Sequence, residues 1–297
     1  MTAKVYFTRE LTPEKVVEMY KLLGVELPGK VAVKLHSGEK GNQNFLRPDF
    51  WKPMIEAVGG TVVECNTAYG DAFGGVRDHT ESHRKLIEYH GWSKVFKVDL
   101  MDAEGPDVRF PVWNGKVLKE NYVGKHILNY DSMLVLAHFK GHPMGGYGGA
   151  LKQLSIGCAS AKGKALIHSG GVSDDNLAAW KKHAEQDRFC EAMADAASTV
   201  AQHFSGNIAY INVMKNLSVD CDCCAVAEDP CMQDIGILAS LDPIAIDQAC
   251  IDLIYAATDD PGQAHFLERV ESRHGIHTIE AAADLGFGFR EYELIEV

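Results

Sequence analysis

A glycine-rich stretch with two histidines and two lysines follows a continuous apolar run, 132–137, which is typical of a buried strand. Its backbone can turn tightly and approach a ligand closely, because it contains Gly145, Gly146, Gly148 and Gly149. Lys140 and Lys152 bracket these glycines. The arrangement predicts a pocket for a small anion, either a carboxylate or a phosphate.

The histidines of this stretch, His138 and His142, are four residues apart, a spacing that puts two side chains on one face only in a helix. Gly141 and Pro143 disfavour a helix here. The two imidazoles could bind a metal, act as acid–base groups or cap the loop, and these alternatives stay open. His138 directly follows the apolar run and is the better candidate for an inward-facing role.

Other lysines stand near the ends of predicted strands or soon after the glycines: Lys34, Lys162 and Lys164. A cationic pocket is unexpected in a chain of net charge −12 and is therefore informative. We favour the pocket for Lys140 and Lys152. For Lys162 and Lys164, a pocket role and a solvated surface role remain open.

The densest thiol cluster consists of Cys221, Cys223, Cys224 and Cys231. These thiols could bind a soft metal, iron or zinc, with Cys158 or a histidine completing the ligand set. The C-x-C-C-x6-C spacing matches no standard zinc or ferredoxin pattern. Reduced structural thiols at a turn are the alternative.

The predicted pocket brings together the segments 34–42, 138–152, 158–168 and 220–242. Glu39 lies in a polar, glycine-bearing loop after a strand, where a general base or a metal ligand is plausible. The catalytic candidates are His138, Lys140, His142 and Glu39. The substrate-binding candidates are Lys34, Gly148, Gly149, Lys152, His168 and Asp234. The metal-binding candidates are Cys158, Cys221, Cys223, Cys224 and Cys231.

Composition narrows the class of protein. The chain has 297 residues, 46% hydrophobic and 24% charged, as in ordinary globular proteins. Its net negative charge argues against nucleic-acid binding, and no apolar run approaches the roughly 20 residues that span a bilayer. The first residues lack the apolar core of a signal peptide, and eight cysteines are too few for a disulfide scaffold. We expect a cytoplasmic protein without nucleic-acid or membrane partners.

Short strand-like runs alternate with amphipathic helical patterns along most of the chain. This alternation predicts an α/β fold with mixed, mostly parallel sheets flanked by helices, and two interleaved α/β subdomains are an alternative. We treat 1–297 as a single domain, with a subdivision into 1–125 and 126–297 and the site between them as the alternative. The stretch 148–157 is expected to be a helix whose first amides add to the anion site. The stretch 173–203 is expected to form one or two helices with Trp180 on the inner side.

Several motifs resemble the domain-of-unknown-function family 362. They are Lys34-x4-Glu39-x-Gly41-Asn42, His138-Phe-Lys-Gly-His142, Gly148-Gly149-Ala-Leu-Lys152, Gly157-Cys158-Ala-Ser, Asp220-Cys-Asp-Cys223 and Asp234 to Asp247. The resemblance covers nearly the whole chain and implies an iron–sulfur centre protein with no established reaction. Many relatives carry a ferredoxin-like insert after the position of His168, but 169–190 holds only Cys190. The histidines followed by Gly-Gly-x-x-Lys are also similar to nickel-pincer lactate racemases, a fold-level analogy.

We expect a protein that associates with a metal ion (iron, an iron–sulfur cluster or zinc) and binds a small anionic molecule. Redox and proton-transfer enzymes are the catalytic alternatives. A non-catalytic iron–sulfur or metal carrier, or an electron-transfer protein with a redox partner, is the competing hypothesis. An anion sensor without chemistry is a third. The sequence does not indicate the oligomeric state.

Overall fold

The computed structural model describes residues 2–70, 74–105, 107–176 and 183–297. Trp180, predicted to lie on the inner side of a helix, and residues 71–73 lie outside this part of the chain. Within it, eight strands form one mixed sheet. They are β1 Ala3–Thr8, β2 Val31–Lys34, β3 Thr61–Glu64, β4 Val98–Leu100, β7 Ser132–His138, β10 Ile208–Met214, β11 Gly236–Ser240 and β12 Tyr292–Glu296. Their order in the sheet is β12-β1-β11-β10-β7-β2-β3-β4.

The α/β fold class predicted from the sequence is confirmed, because most strand pairs of this sheet are parallel. Only β11 runs antiparallel to its neighbours, β1 and β10. Strand β1, from the first part of the chain, lies between β12 and β11 from the second part. The subdivision near residue 125 stays a prediction.

Ten α-helices flank the sheet within the described residues. They are α1 Pro13–Leu22, α2 Pro48–Val58, α3 Thr80–Tyr89, α4 Trp92–Val95, α5 Ala150–Lys152, α6 Ala161–His168, α7 Gln186–His203, α8 Pro243–Ala256, α9 Gln263–Ser272 and α10 Gly275–Asp284.

The central strand β7 is buried along its whole length. Leu134 packs in a cluster with α1 and α2, whereas Met133 and Val135 pack in the opposite cluster with α7 and α8. Helices therefore cover both faces of the strand. This explains why its sequence is a continuous apolar run without alternation.

The glycine-rich stretch after β7 forms a hairpin. Strand β8, Lys140–His142, pairs antiparallel with β9, Gly146–Gly148. A second hairpin pairs β5 Val108–Pro111 with β6 Glu120–Val123. The helix predicted over 148–157 is confirmed over residues 150–157, where the short α5 continues without a break as the π-helix Gln153–Gly157.

Candidate functional site

A cavity of about 480 Å³ opens at the carboxyl ends of β2, β3 and β7. Ligands of open α/β sheets bind at this edge, and the volume suits a small molecule. The cationic side chains that line the cavity are Lys34, Arg77, Lys140, Lys152 and Lys164. Histidines and cysteines also line it: His36, His142, His168, Cys223 and Cys224.

Three of the five cations are paired with buried carboxylates. Nζ of Lys34 lies 3.2 Å from Glu64, Nε of Arg77 lies 2.9 Å from Glu39, and Nζ of Lys140 lies 2.9 Å from Asp222. Burial would raise the pKa of Glu64, but Lys34 and Arg77 outweigh it and lower this pKa to about 2. These pairs are fixed parts of the cavity wall.

Lys152 and Lys164 have no carboxylate ion pair among the described residues. Nζ of Lys152 lies 3.7 Å from Sγ of Cys221. Nζ of Lys164 donates a hydrogen bond of 2.6 Å to the carbonyl of Ala159. Lys162, by contrast, is exposed. Positive charge therefore exceeds negative charge in the cavity wall, although the whole chain is acidic.

Two histidines that line the cavity accept backbone N–H groups through Nδ1. The Nδ1 atom of His36 accepts the N–H of Gly38 at 3.0 Å, and that of His142 accepts the N–H of Gly145 at 2.8 Å. A neutral imidazole with an accepting Nδ1 carries its hydrogen on Nε2. Burial, followed by nearby cations, lowers both pKa values, to about 4 for His142.

His168 has the opposite arrangement. Its Nδ1 contacts the carbonyl of Lys164 at 2.6 Å and must donate to it, so the neutral ring keeps its basic lone pair on Nε2. Burial is the main reason that its pKa is lowered to about 4, and the charge of Lys152 acts in the same direction. The cavity thus combines two imidazole donors with one imidazole base.

The thiol side of the cavity contains a possible metal site. One ligand atom each from His142, Cys221 and Cys223 lie within 4.8 Å of one another. Nε2 of His142 is 3.8 Å from Sγ of Cys223. Burial raises the pKa of Cys221. Two thiols and an imidazole are the donor types that zinc and other soft metals prefer.

The family model described as Domain of unknown function (DUF362) matches residues 31–252. The chain belongs to the DUF362 family. The match confirms the resemblance predicted from the motifs, while the iron–sulfur centre and the missing insert stay predictions.

No curated protein matches this DUF362 chain. One similar solved structure is the lactate racemase apoprotein from Thermoanaerobacterium thermosaccharolyticum, with 12% identity, a TM-score of 0.39, and coverage of 70% of this chain and 50% of that chain. Another is a protein from Thermotoga maritima, with 11% identity, a TM-score of 0.43, and coverage of 93% and 60%. The chain thus spans 50% and 60% of the lengths of these two proteins, less than two thirds of either, and these likenesses assign no activity.

Six predicted site residues of the DUF362 chain do not line the cavity. One of them, Cys221, is buried next to it, with Sγ 3.7 Å from Nζ of Lys152. Glu39 is buried against Arg77 and also accepts the N–H groups of Lys40 and Val76. His138 lies behind the wall, with Nδ1 2.9 Å from Asp222 and Nε2 2.5 Å from the carbonyl of Lys215. Both side chains hold structural partners, so they act on the cavity only through them.

The other three are held elsewhere. Asp234 bonds to Lys215 and Asn216 in a separate shallow cleft, with a third of its side chain exposed. Sγ of Cys231 contacts the carbonyl of Leu217. Cys158 is buried away from the thiol cluster, and burial raises its pKa to about 11.

The anion site predicted at the first amides of this helix is wrong. The N–H groups of Ala150 and Leu151 donate to the buried carboxylate of Asp247, at 2.7 and 2.9 Å. Tyr147 and Asn212 bond to the same carboxylate. An internal carboxylate therefore occupies this helix N-terminus, while Gly148, Gly149 and Lys152 still line the cavity.

Sequence reasoning missed His36, Glu64 and Arg77. The first two follow or end strands β2 and β3, and that position was the available signal. Arg77 had no comparable signal, because its role depends on its distance from Glu39 in space.

Among the described residues, no helix is both long and apolar enough to cross a bilayer.

Proposed function

We propose that this DUF362 protein binds a small anionic molecule, a carboxylate or a phosphate, in the cationic cavity. The observation that carries the proposal is Lys152, a cavity lysine that no carboxylate pairs with among the described residues. The Nε2–H groups of His36 and His142 add uncharged donors. An anion would complete a wall that otherwise holds excess positive charge.

We further propose that the protein is an enzyme that transfers a proton to or from this anion. The neutral imidazole of His168 offers a base, and those of His36 and His142 offer donors in the same cavity. General acid–base catalysis needs such groups within reach of one substrate. A cytoplasmic location is part of this proposal, because the cavity thiols need a reducing compartment.

A soft metal at Cys221 and Cys223 is the second candidate function. The two thiols fit zinc or iron, which would supply Lewis-acid chemistry beside the anion. The imidazole fits less well, since a metal-bound histidine normally donates its other N–H, whereas Nδ1 of His142 accepts one. A four-cysteine iron–sulfur site has less support here than a mononuclear metal, because the close donor group contains two thiols.

Calorimetric titration of the purified protein with phosphate and with a series of small carboxylates tests the anion proposal. We expect Lys152→Gln to weaken binding by about 10-fold or more, because a charge-assisted hydrogen bond contributes about 1.5–3 kcal/mol. The matched control is Lys162→Gln, which removes the same charge from an exposed position. Equal losses in both variants, or no binding of any anion, would contradict the proposal.

Metal analysis of protein purified without oxygen tests the second candidate. Cys221→Ser combined with Cys223→Ser should remove the bound metal, whereas Cys231→Ser should retain it. Absorption bands between about 320 and 450 nm would indicate an iron–thiolate centre and favour the carrier or electron-transfer alternative. Metal content that is negligible, or unchanged by the double substitution, would rule out this site.

A further inference from the structure

We infer that Lys164 forms a covalent imine with the carbonyl carbon of a small 2-oxo acid bound in the cavity. This inference rests on the proposed function, because the carboxylate of the 2-oxo acid is the anion that the cavity would hold. It adds a substrate class, an anionic carbonyl compound, and assigns a nucleophile to it.

The surroundings of Lys164 differ from those of the neighbouring cavity lysines. Lys34 and Lys140 are each held in an ion pair by a buried carboxylate. Lys164 is 6% exposed, lines the cavity, and makes its hydrogen bond to an uncharged acceptor, the carbonyl of Ala159. Its amine is therefore buried without a carboxylate ion pair among the described residues.

The fold holds this amine in place. Lys164 lies on α6, which begins after Ser160, and Oγ of Ser160 accepts the N–H of Gly163 at 3.1 Å. The N–H of Lys164 donates to the carbonyl of Ser160 at 2.8 Å. A capped first turn therefore fixes the backbone from which the side chain reaches the cavity.

The electrostatic setting suits a nucleophilic amine. Burial is the largest influence and lowers the pKa of Lys164. Cys65, Asp102 and Glu64 act in the opposite direction, and the charge of Lys34 adds to the lowering. Desolvation and a nearby cation are the two means by which proteins keep a lysine amine uncharged for attack on a carbonyl. Lys152 remains available as the cation for the carboxylate of the substrate.

The chemical step balances without a further reactant. The lone pair of Nζ attacks the carbonyl carbon, a C–N bond forms, and the carbonyl oxygen takes up a proton to give a carbinolamine. The C–O bond of this intermediate then breaks, and the oxygen leaves as one water molecule that carries the equivalent of both original amine hydrogens. A C=N double bond remains. His168, which lines the same cavity and bonds to the backbone of Lys164, offers the basic Nε2 for these proton transfers.

Reductive trapping tests the inference. The full-length protein is incubated with pyruvate and cyanoborohydride, which converts an imine into a stable secondary amine, and the intact mass and the modified peptide are then measured. We expect one adduct per chain, located on Lys164. Lys164→Arg should reduce the adduct at least 10-fold, whereas Lys162→Arg, two residues away and exposed, should leave it unchanged.

Peptide mapping of the unsubstituted protein keeps the test valid even if Lys164→Arg does not fold. An adduct on Lys152 or on exposed lysines, or no adduct, would overturn the inference. Calorimetry with pyruvate and with propionate, which lacks the carbonyl oxygen, separates the two proposals. Binding of both acids without trapping would overturn only the imine, whereas no binding of these acids or of phosphate would overturn the anion site as well.

Discussion

The sequence predicts that the glycine loop, residues 141–149, and the cysteine loop, residues 221–226, both contribute to a ligand-binding site. In the structure the two loops have different roles. The glycine loop uses its small residues mainly to pack against the rest of the protein. The cysteine loop places side chains on the cavity wall and anchors itself through a buried carboxylate.

Close packing explains three of the glycines. A Cβ at Gly141 would lie 2.4 Å from the carbonyl oxygen of Val219, and one at Gly146 would lie 2.9 Å from Cα of Gly275. One at Gly149 would lie 2.4 Å from Oδ1 of Asp247. The glycines of this loop are therefore explained by close contacts between protein segments more than by contact with a ligand.

Some side chains of the cysteine loop line the cavity wall, and others point into the protein interior. Cys223 and Cys224 line the cavity, whereas the side chain of Asp222 is buried and contacts both His138 and Lys140. Burial would raise the pKa of Asp222, but these two partners outweigh it and lower the pKa. The reactive groups of the cavity therefore come from side chains on the cysteine loop and on neighbouring strands and helices. The glycine loop allows close packing between protein segments.

The largest expected effect concerns the anchor of the cysteine loop. Asp222→Ala should lower the free energy of unfolding by about 3–5 kcal/mol, because it leaves Lys140 and His138 buried without their common counter-charge. Asp234→Ala is the control, since it removes a partly exposed ion pair with Lys215 and should cost about 1 kcal/mol or less. Urea denaturation measures both. Similar small losses would mean that the cysteine loop is not anchored by this carboxylate.

The next effect concerns the cavity wall, against which both loops pack. An unfolded histidine binds a proton below about pH 6.5, but the pKa of His168 in the folded protein is about 4. As the pH falls from 6.5 to 4, the unfolded state therefore binds more protons, and the folded state loses stability. This single group should account for a loss of about 3 kcal/mol.

His168→Gln should remove that part of the pH dependence, as measured by urea denaturation between pH 4 and 7. His79→Gln is the matched control, because the His79 side chain is 82% exposed. A pH profile that His168→Gln leaves unchanged would show that this imidazole is not buried in its neutral form.

Much of the fold followed from the sequence, because the information is local. The continuous apolar run 132–137 predicted the buried strand β7, and the alternation of strand-like and helical patterns predicted the α/β sheet. The positions of Lys140 and Lys152 on the cavity wall also followed from their places beside a strand end and the glycines.

The partners of the charged residues did not follow from the sequence. Glu39 pairs with Arg77, and His138 pairs with Asp222, across long stretches of chain. A carboxylate that neutralises a structural cation looks the same in one sequence as a carboxylate that acts on substrate. Only the three-dimensional arrangement separates the two. It places Glu39 and His138 outside the cavity lining, where they hold the partners that support the wall.

The smallest effect separates two glycines of the same loop. Gly149→Ala should lower the free energy of unfolding by about 1–3 kcal/mol, because its Cβ would overlap the carboxylate that holds the start of α5. At Gly145, the nearest atom to a Cβ is Cε of Met193, at 3.2 Å, the end of a flexible side chain. Gly145→Ala should therefore cost less. If urea denaturation gave equal small losses for both, while anion binding fell in Gly149→Ala alone, the glycine loop would serve the ligand directly and the contrast with the cysteine loop would fail.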